Sequence, residues 1–150
     1  MIRRIVTQKM LELNAYEKWN QFIHLIAMED YIDLTRVQRI AHLCFWYDSE
    51  VQNGGHLQFF LNRDPDLLDE TKQALIELGA VKQASVLSNA MNIALTNGIP
   101  KVETIQEYVD EALVGMFDEV DTEYHHCKPD ITKLLELFLE YHEDEFLTVE

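Results

Sequence analysis

The sequence predicts an all-α fold, a single-domain orthogonal bundle of about seven helices that spans residues 1–150. Apolar residues recur at three- and four-residue steps along most of the chain, which is the spacing of one face of a helix. Capping residues precede these stretches, and glycines end several of them. Strand signals are nearly absent: only about the first six residues suit an edge strand, and we do not expect a strand there.

The first two helices each begin at a capping signal. Asn14 followed by Glu17 has the spacing of an N-cap and the third helical residue, and Asp33 caps the second helix. The second helix ends at Asn53-Gly54-Gly55, where glycine permits the turn that leaves a helix. The apolar side chains of the two helices are Tyr16, Trp19, Ile23 and Ile26, then Val37, Ile40, Ala41, Cys44 and Val51.

The middle of the chain contains a short aromatic segment and two further helices. After residues 56–61, Asp64-Pro65 suits a cap and first helical residue, and Gly79 ends that helix. The next helix runs from about Val81 to Asn97 and is closed by Gly98.

The last third predicts two long amphipathic helices. Thr104 with Glu107 forms a capping box, and Pro129-Asp130 opens the final helix. We expect both apolar sides to face the core. They consist of Ile105, Tyr108, Val109, Ala112, Met116, Phe117 and Val120, then Leu134, Leu135, Phe138, Tyr141 and Phe146.

The charge of the chain is strongly negative and unevenly spread. With 12 Lys and Arg against 27 Asp and Glu, the formal net charge is -15, yet 47% hydrophobic residues are ample for a folded core. Residues 1–40 carry a net +1 and residues 41–100 a net -4, whereas residues 101–150 hold 3 basic and 15 acidic residues. Such a field repels nucleic acid and anionic membranes and attracts basic partners.

The acidic residues of the last third predict a partner-binding face. They recur at three- and four-residue steps, where like charges cost about 0.2–0.5 kcal/mol per pair, and lysines do not relieve them. The spacing approaches that of phosphates along a nucleic-acid strand. The alternative is a solvated face that keeps the protein soluble. The predicted face consists of Glu103, Glu107, Asp110, Glu111, Asp118, Asp121, Glu136, Glu140, Glu143 and Asp144.

The sequence predicts neither an enzyme nor a cofactor or metal site. Cys127 adjoins His125 and His126, but neighbours in sequence do not aim ring nitrogens at a thiolate, and the acidic surroundings do not activate one. We interpret His24 and His42 as core histidines. Basic patches with interleaved aromatic residues are missing, so we expect no direct binding of nucleic acid. Without a signal peptide or an apolar membrane span, we expect a soluble, cytoplasmic protein.

Residues 47–62 read YDSEVQNGGHLQFFLN and resemble the E-x-x-N-G-G-x-x-Q-F-F-x-N signature of the bacterial DNA-mimic protein family. The resemblance covers about residues 35–147, and position 56 is His where the family more often has an aromatic or bulky apolar residue. The motif suits a structural role, in which its polar side chains bind the backbone at a helix junction and its phenylalanines anchor it in the core. The matching positions are Glu50, Asn53, Gly54, Gly55, Gln58, Phe59, Phe60 and Asn62.

The resemblance implies a function in transcription regulation. It implies a dimer that, like the characterised member of that family, imitates DNA and occupies the DNA-binding surface of a transcription factor. We therefore predict a non-enzymatic acidic interaction protein whose partner is a basic DNA-binding protein. The alternative is an immunity or antitoxin-type protein that binds one specific effector. Three apolar residues off the main stripes suggest a homodimer interface or, equally, complete the core of the bundle: Val114, Leu137 and Leu139.

Overall fold

Nine α-helices carry the apolar periodicity of the chain in the computed structural model, which describes residues 1–150. The predicted all-α domain is confirmed, and no helix has both the length and the apolar character needed to cross a membrane. Single 3-10 turns occupy Tyr31–Asp33 and Pro65–Leu67. The other elements are β1 (Arg4–Val6), α1 (Gln8–Leu13), α2 (Glu17–Met28), α3 (Arg36–Asn62), α4 (Leu68–Leu78), α5 (Val81–Asn97), α6 (Ile105–Val114), α7 (Asp118–His125), α8 (Ile131–Tyr141), α9 (Glu143–Phe146) and β2 (Leu147–Val149).

The starts of the helices follow local capping chemistry, with three changes from the prediction. Tyr16 rather than Asn14 directly precedes α2, and Asp64-Pro65 opens a 3-10 turn before α4 rather than α4 itself. Thr35 rather than Asp33 caps α3, because its hydroxyl accepts from the backbone N–H of Gln38 (3.2 Å) while the Gln38 amide oxygen accepts from the Thr35 N–H (3.0 Å). α5 has the bounds that its sequence predicts. The left-handed Gly79 ends α4 as expected, whereas Tyr16 precedes α2 as an exposed residue.

The long helix α3 is the centre of the domain. It packs against α2, α4, α7 and α8, so its buried residues occupy every side of the helix. Tyr47 is fully buried and its ring meets that of Phe59 edge to face, with 4.9 Å between ring centroids. The core therefore surrounds the segment that contains the NGG sequence.

The expectation that the first residues form no strand is wrong. β1 and β2 pair in parallel, with Arg4 opposite Leu147 and Val6 opposite Val149. The pair continues beyond the strands, because the Gln8 N–H donates to the Glu150 carbonyl (2.9 Å). Each strand has only three residues and finds its partner at the other end of the chain, so neither produces a local pattern.

The two predicted helices of the last third are each divided in two. Gly115, in the left-handed conformation (φ +73°), separates α6 from α7, and His142 separates α8 from α9. Tyr141 is exposed, while Phe146 beyond the break is fully buried as predicted. The two breaks and α1, which the sequence did not predict, each add a helix, whereas residues 56–61, predicted as a separate aromatic segment, continue α3. The total is therefore nine rather than about seven.

The predicted inward orientation of the α6 apolar residues is wrong for Ile105, Val109 and Ala112, whereas Tyr108 is half-buried and packs against the core. No residue of α6 is buried, and Ile105 and Val109 are exposed to solvent. Phe117 and Val120 do reach the core, but from the other side of the Gly115 break. A left-handed glycine changes the direction of the chain, so one continuous helical face cannot extend from residue 105 to residue 120.

Candidate functional site

Asn53, Gly54 and Gly55, which we call the NGG kink, interrupt α3 without ending it. Gly55 has φ +71° and ψ -172°, a region that is essentially restricted to glycine, and the helix resumes immediately. The junction of two helices within one turn is thus as the sequence predicted.

The polar side chains of the motif bind one another across the kink. The Glu50 Oε2 atom accepts from the Gln58 Nε2 (2.9 Å) and from the Asn62 Nδ2 (2.9 Å). The Gln58 Oε1 atom in turn accepts from the Asn53 Nδ2 (3.1 Å). We expected these side chains to satisfy backbone groups. Instead they connect the two halves of α3 directly, because Glu50 is buried and a buried carboxylate requires donors.

His56 begins the second half of α3, and both of its ring nitrogens form hydrogen bonds. Its Nε2 lies 2.7 Å from the Tyr47 hydroxyl, and its Nδ1 lies 2.7 Å from the Asp121 Oδ1. An ionised carboxylate only accepts, so Nδ1 carries the proton, and in the neutral ring Nε2 accepts from Tyr47. Burial raises the pKa of Tyr47, which keeps its hydroxyl protonated as a donor.

Asp121 also caps the restarted helix. Its Oδ1 accepts from the His56 backbone N–H at 2.8 Å, which satisfies a donor that the kink leaves without a helical partner. The side chain is 26% exposed. Asp121 was predicted as a partner-binding residue, and in the structure its Oδ1 accepts two hydrogen bonds within the fold.

Tyr108 on α6 forms a second hydrogen bond to the backbone near the kink, as Asp121 on α7 does. Its hydroxyl donates to the Gly54 carbonyl at 3.2 Å. A β-carbon at Gly54 would overlap the Gln58 and Tyr108 side chains, and one at Gly55 would overlap the Asp121 carboxylate. The two glycines therefore allow α6 and α7 to approach α3, and the motif positions the acidic third of the chain. Phe59 and Phe60 are buried as predicted.

Of the ten carboxylates of the predicted acidic face, three are half-buried and seven are exposed. Glu111, Asp121 and Glu143 are half-buried, and Glu143 forms a 3.0 Å ion pair with Lys18. Glu111 borders a cavity of about 150 Å³ between the kink and the turn at Gly115. The exposed members are Glu103, Glu107, Asp110, Asp118, Glu136, Glu140 and Asp144.

Two exposed carboxylates on α7 were absent from the predicted face. Glu119 and Glu123 lie four residues apart, so the helical spacing that identified the others also identifies them. Neither α6 nor α7 contains a lysine or arginine. The basic side chains near the exposed set are Lys101, 3.4 Å from Glu103, and Lys133, 3.7 Å from Glu136.

The His125-His126-Cys127 segment ends α7, and two of its side chains bond backbone carbonyls of that helix. The His126 Nδ1 lies 2.8 Å from the Thr122 carbonyl, and the Cys127 thiol donates to the Glu123 carbonyl at 3.4 Å. Burial raises the pKa of Cys127, which opposes formation of a thiolate. No three His, Cys, Asp or Glu side chains are grouped to hold a metal ion.

Two sets of predictions remain, the core histidines His24 and His42 and the apolar interface residues, and the structure agrees with some members of each set. His42 is buried, its Nδ1 lies 2.7 Å from the Ile26 carbonyl, and burial lowers its pKa. His24 is exposed, so its interpretation as a core residue is wrong. Leu139 is buried in the core and is not available for an interface, whereas Val114 and Leu137 are exposed.

The comparison with protein families identifies the chain. The family model described as DMP19-like protein matches residues 32–142. No curated protein and no solved structure gives a significant match. The matched range contains the NGG kink, its Asp121 and Tyr108 contacts, and helices α3 to α8. Because this range is well over half of the sequence, the chain belongs to the DMP19-like protein family.

Proposed function

We propose that the protein is a non-enzymatic DNA mimic that occupies the basic surface of a DNA-binding protein or transcription factor. The observation that carries the proposal is the set of seven exposed carboxylates on or just before α6 to α9, within a region of 3 basic and 15 acidic residues. The family of the chain supports the same function.

Charge is the physical basis of the proposed recognition. A DNA-binding surface concentrates Lys and Arg to neutralise phosphates. Exposed carboxylates that far outnumber their basic neighbours offer that surface an alternative anion, and the net charge of -15 accelerates the encounter. Binding should therefore weaken as salt rises, because exposed charges are screened within about 10 Å at 0.1 M ionic strength.

A non-enzymatic role is supported by the way the Tyr47, His56 and Asp121 side chains are used. The His56 side chain is 0% exposed and both ring nitrogens have partners within the fold. A general base needs access to the proton that it abstracts. The chain of hydrogen bonds instead holds the kink and the start of a helix together.

Capture at low salt followed by competition tests the proposed function. The purified protein should retain a DNA-binding protein from a lysate of its source, and duplex DNA should release that partner. The variant Glu107→Gln/Asp110→Asn should lose most of the binding, since the amides keep the shape but remove two exposed charges. The matched control Asp66→Asn/Asp69→Asn removes two exposed charges outside the acidic third and should bind normally.

The identity of the captured protein separates the two function classes. A partner that DNA does not displace, with the same affinity for both double variants, contradicts the DNA-mimic proposal. If that partner is a toxic effector, the immunity or antitoxin-type alternative applies. Homodimerisation stays a prediction, and sedimentation velocity of the purified chain tests it.

A further inference from the structure

Helix α6 is turned with its apolar side away from the domain. Its half-buried residues are Tyr108 and Glu111, whereas Ile105 is 86% exposed and Leu113 is 81% exposed. At about 100° per residue, Ile105, Val109 and Leu113 fall within an arc of roughly 80° on one side of the helix. We call these three residues the apolar strip.

The inner side of α6 makes one hydrogen bond to the NGG kink. Tyr108 donates to the Gly54 carbonyl, and Glu111 borders the cavity beside Gly54. Amphipathic helices of soluble domains normally bury their apolar side, and adjoining exposed apolar side chains mark interaction sites. The strip thus presents a hydrophobic surface without any unfolding of the domain.

The surroundings of the strip decide which partner fits it. Asp110 lies roughly 60° around the helix from Leu113, and Glu107 is also exposed on the same helix. Neither α6 nor the following α7 offers a positive side chain. A second copy of this chain, itself of net charge -15, would bring its own Asp110 and acidic domain against Asp110 at the edge of the strip, which is unfavourable. A surface with Lys and Arg around an apolar patch complements both the strip and its edge.

We infer that the apolar strip docks an apolar patch bordered by Lys and Arg on the partner protein. The inference rests on the proposed function and deepens it, because recognition then requires apolar contact as well as charge. DNA phosphates offer no equivalent of the strip. The chain therefore distinguishes its partner from other basic proteins through Ile105, Val109 and Leu113.

Two synthetic peptides of equal length and charge test the inference. The first is a lysine-rich amphipathic helix with one leucine face, and in the second alanine replaces every leucine. Isothermal titration at low salt should show that the protein binds the leucine peptide at least about tenfold more tightly, the effect expected of a small hot spot. Raising the salt should weaken both complexes.

Variants assign the preference to the strip. Ile105→Ser/Leu113→Ser should bind the two peptides alike. Leu95→Ser should keep the preference, because Leu95 is equally exposed (87%) but lies on α5. Circular dichroism controls for folding. A preference that survives in the double variant overturns the inference.

The remaining outcomes separate failure of the inference from failure of the proposed function. Equal, salt-sensitive binding of both peptides to the unmodified protein overturns the inference and leaves the acidic DNA mimic intact. Absence of binding to either peptide at low salt overturns both. A wild-type dimer that Ile105→Ser/Leu113→Ser converts to a monomer in sedimentation velocity also overturns the inference, because a second copy then occupies the strip.

Discussion

The NGG kink and α6 lie against each other and use their side chains in opposite ways. At the kink, Glu50, Gln58 and His56 direct their polar groups to partners within the fold. On α6, Ile105 and Leu113 direct apolar groups to solvent. At the kink, the buried polar groups have hydrogen-bond partners, as is usual in folded proteins. On α6, by contrast, large apolar side chains are exposed, whereas such side chains are usually buried.

The difference indicates that the kink holds the acidic helices in place, while the exposed side of α6 is available for binding. The hydrogen bonds from Asp121 and Tyr108 fix α6 and α7 to backbone groups of the kink, so these helices do not depend on apolar packing alone. The apolar strip of α6 is then free of a role in the core. Mutations at the kink should affect folding, and mutations on the exposed side of α6 should affect binding alone.

The largest effect should come from Gly55→Ala. The substitution places a side chain in a backbone region that only glycine adopts readily, and its β-carbon overlaps the Asp121 carboxylate. We expect a loss of at least about 3 kcal/mol in the free energy of unfolding, measured by urea denaturation.

Gly98→Ala is the matched control for that substitution. Gly98 has a similar backbone, with φ +76° and ψ 158°, but no atom lies within 4 Å of an added β-carbon. Backbone strain alone should cost about 1 to 2 kcal/mol. Equal losses at the two glycines would show that the Asp121 contact does not tighten the kink.

A smaller effect should follow from His56→Phe. The change leaves the buried Tyr47 hydroxyl without its partner, which should cost about 1 to 3 kcal/mol. The double variant Tyr47→Phe/His56→Phe removes both partners and should recover most of that loss. Thermal and urea denaturation of the four proteins gives the coupling free energy. Additive losses would mean that the hydrogen bond does not stabilise the kink.

Local chemistry made much of the fold predictable from the sequence. Gly79, Gly98 and Thr104 each end or begin a helix where the pattern indicates, because caps depend on a few neighbouring residues. The structural role of the NGG motif was predictable for the same reason. The β1–β2 pair was not, because its strands are separated by nearly the whole chain.

The candidate site was less predictable because it depends on long-range contacts. His56 and Asp121 are 65 residues apart in sequence, and a helical pattern alone assigns Asp121 to a charged surface. The period of α6 identifies its apolar side but not whether the domain covers that side. The Tyr108 hydroxyl on the covered side bonds Gly54, 54 residues away in sequence, and no local signal identifies such a contact.

The smallest effect on stability should come from Leu113→Ala. A buried leucine of the acidic third, Leu135, is 2% exposed, and its replacement by alanine should cost about 2 to 5 kcal/mol. Leu113 has the same chemistry but contributes little to the core, so the same replacement should change the free energy of unfolding by less than about 0.5 kcal/mol. Urea denaturation of the two variants measures the contrast. A loss above about 1 kcal/mol at Leu113 would mean that α6 packs onto the domain, and the division between a supporting kink and an open helix would then fail.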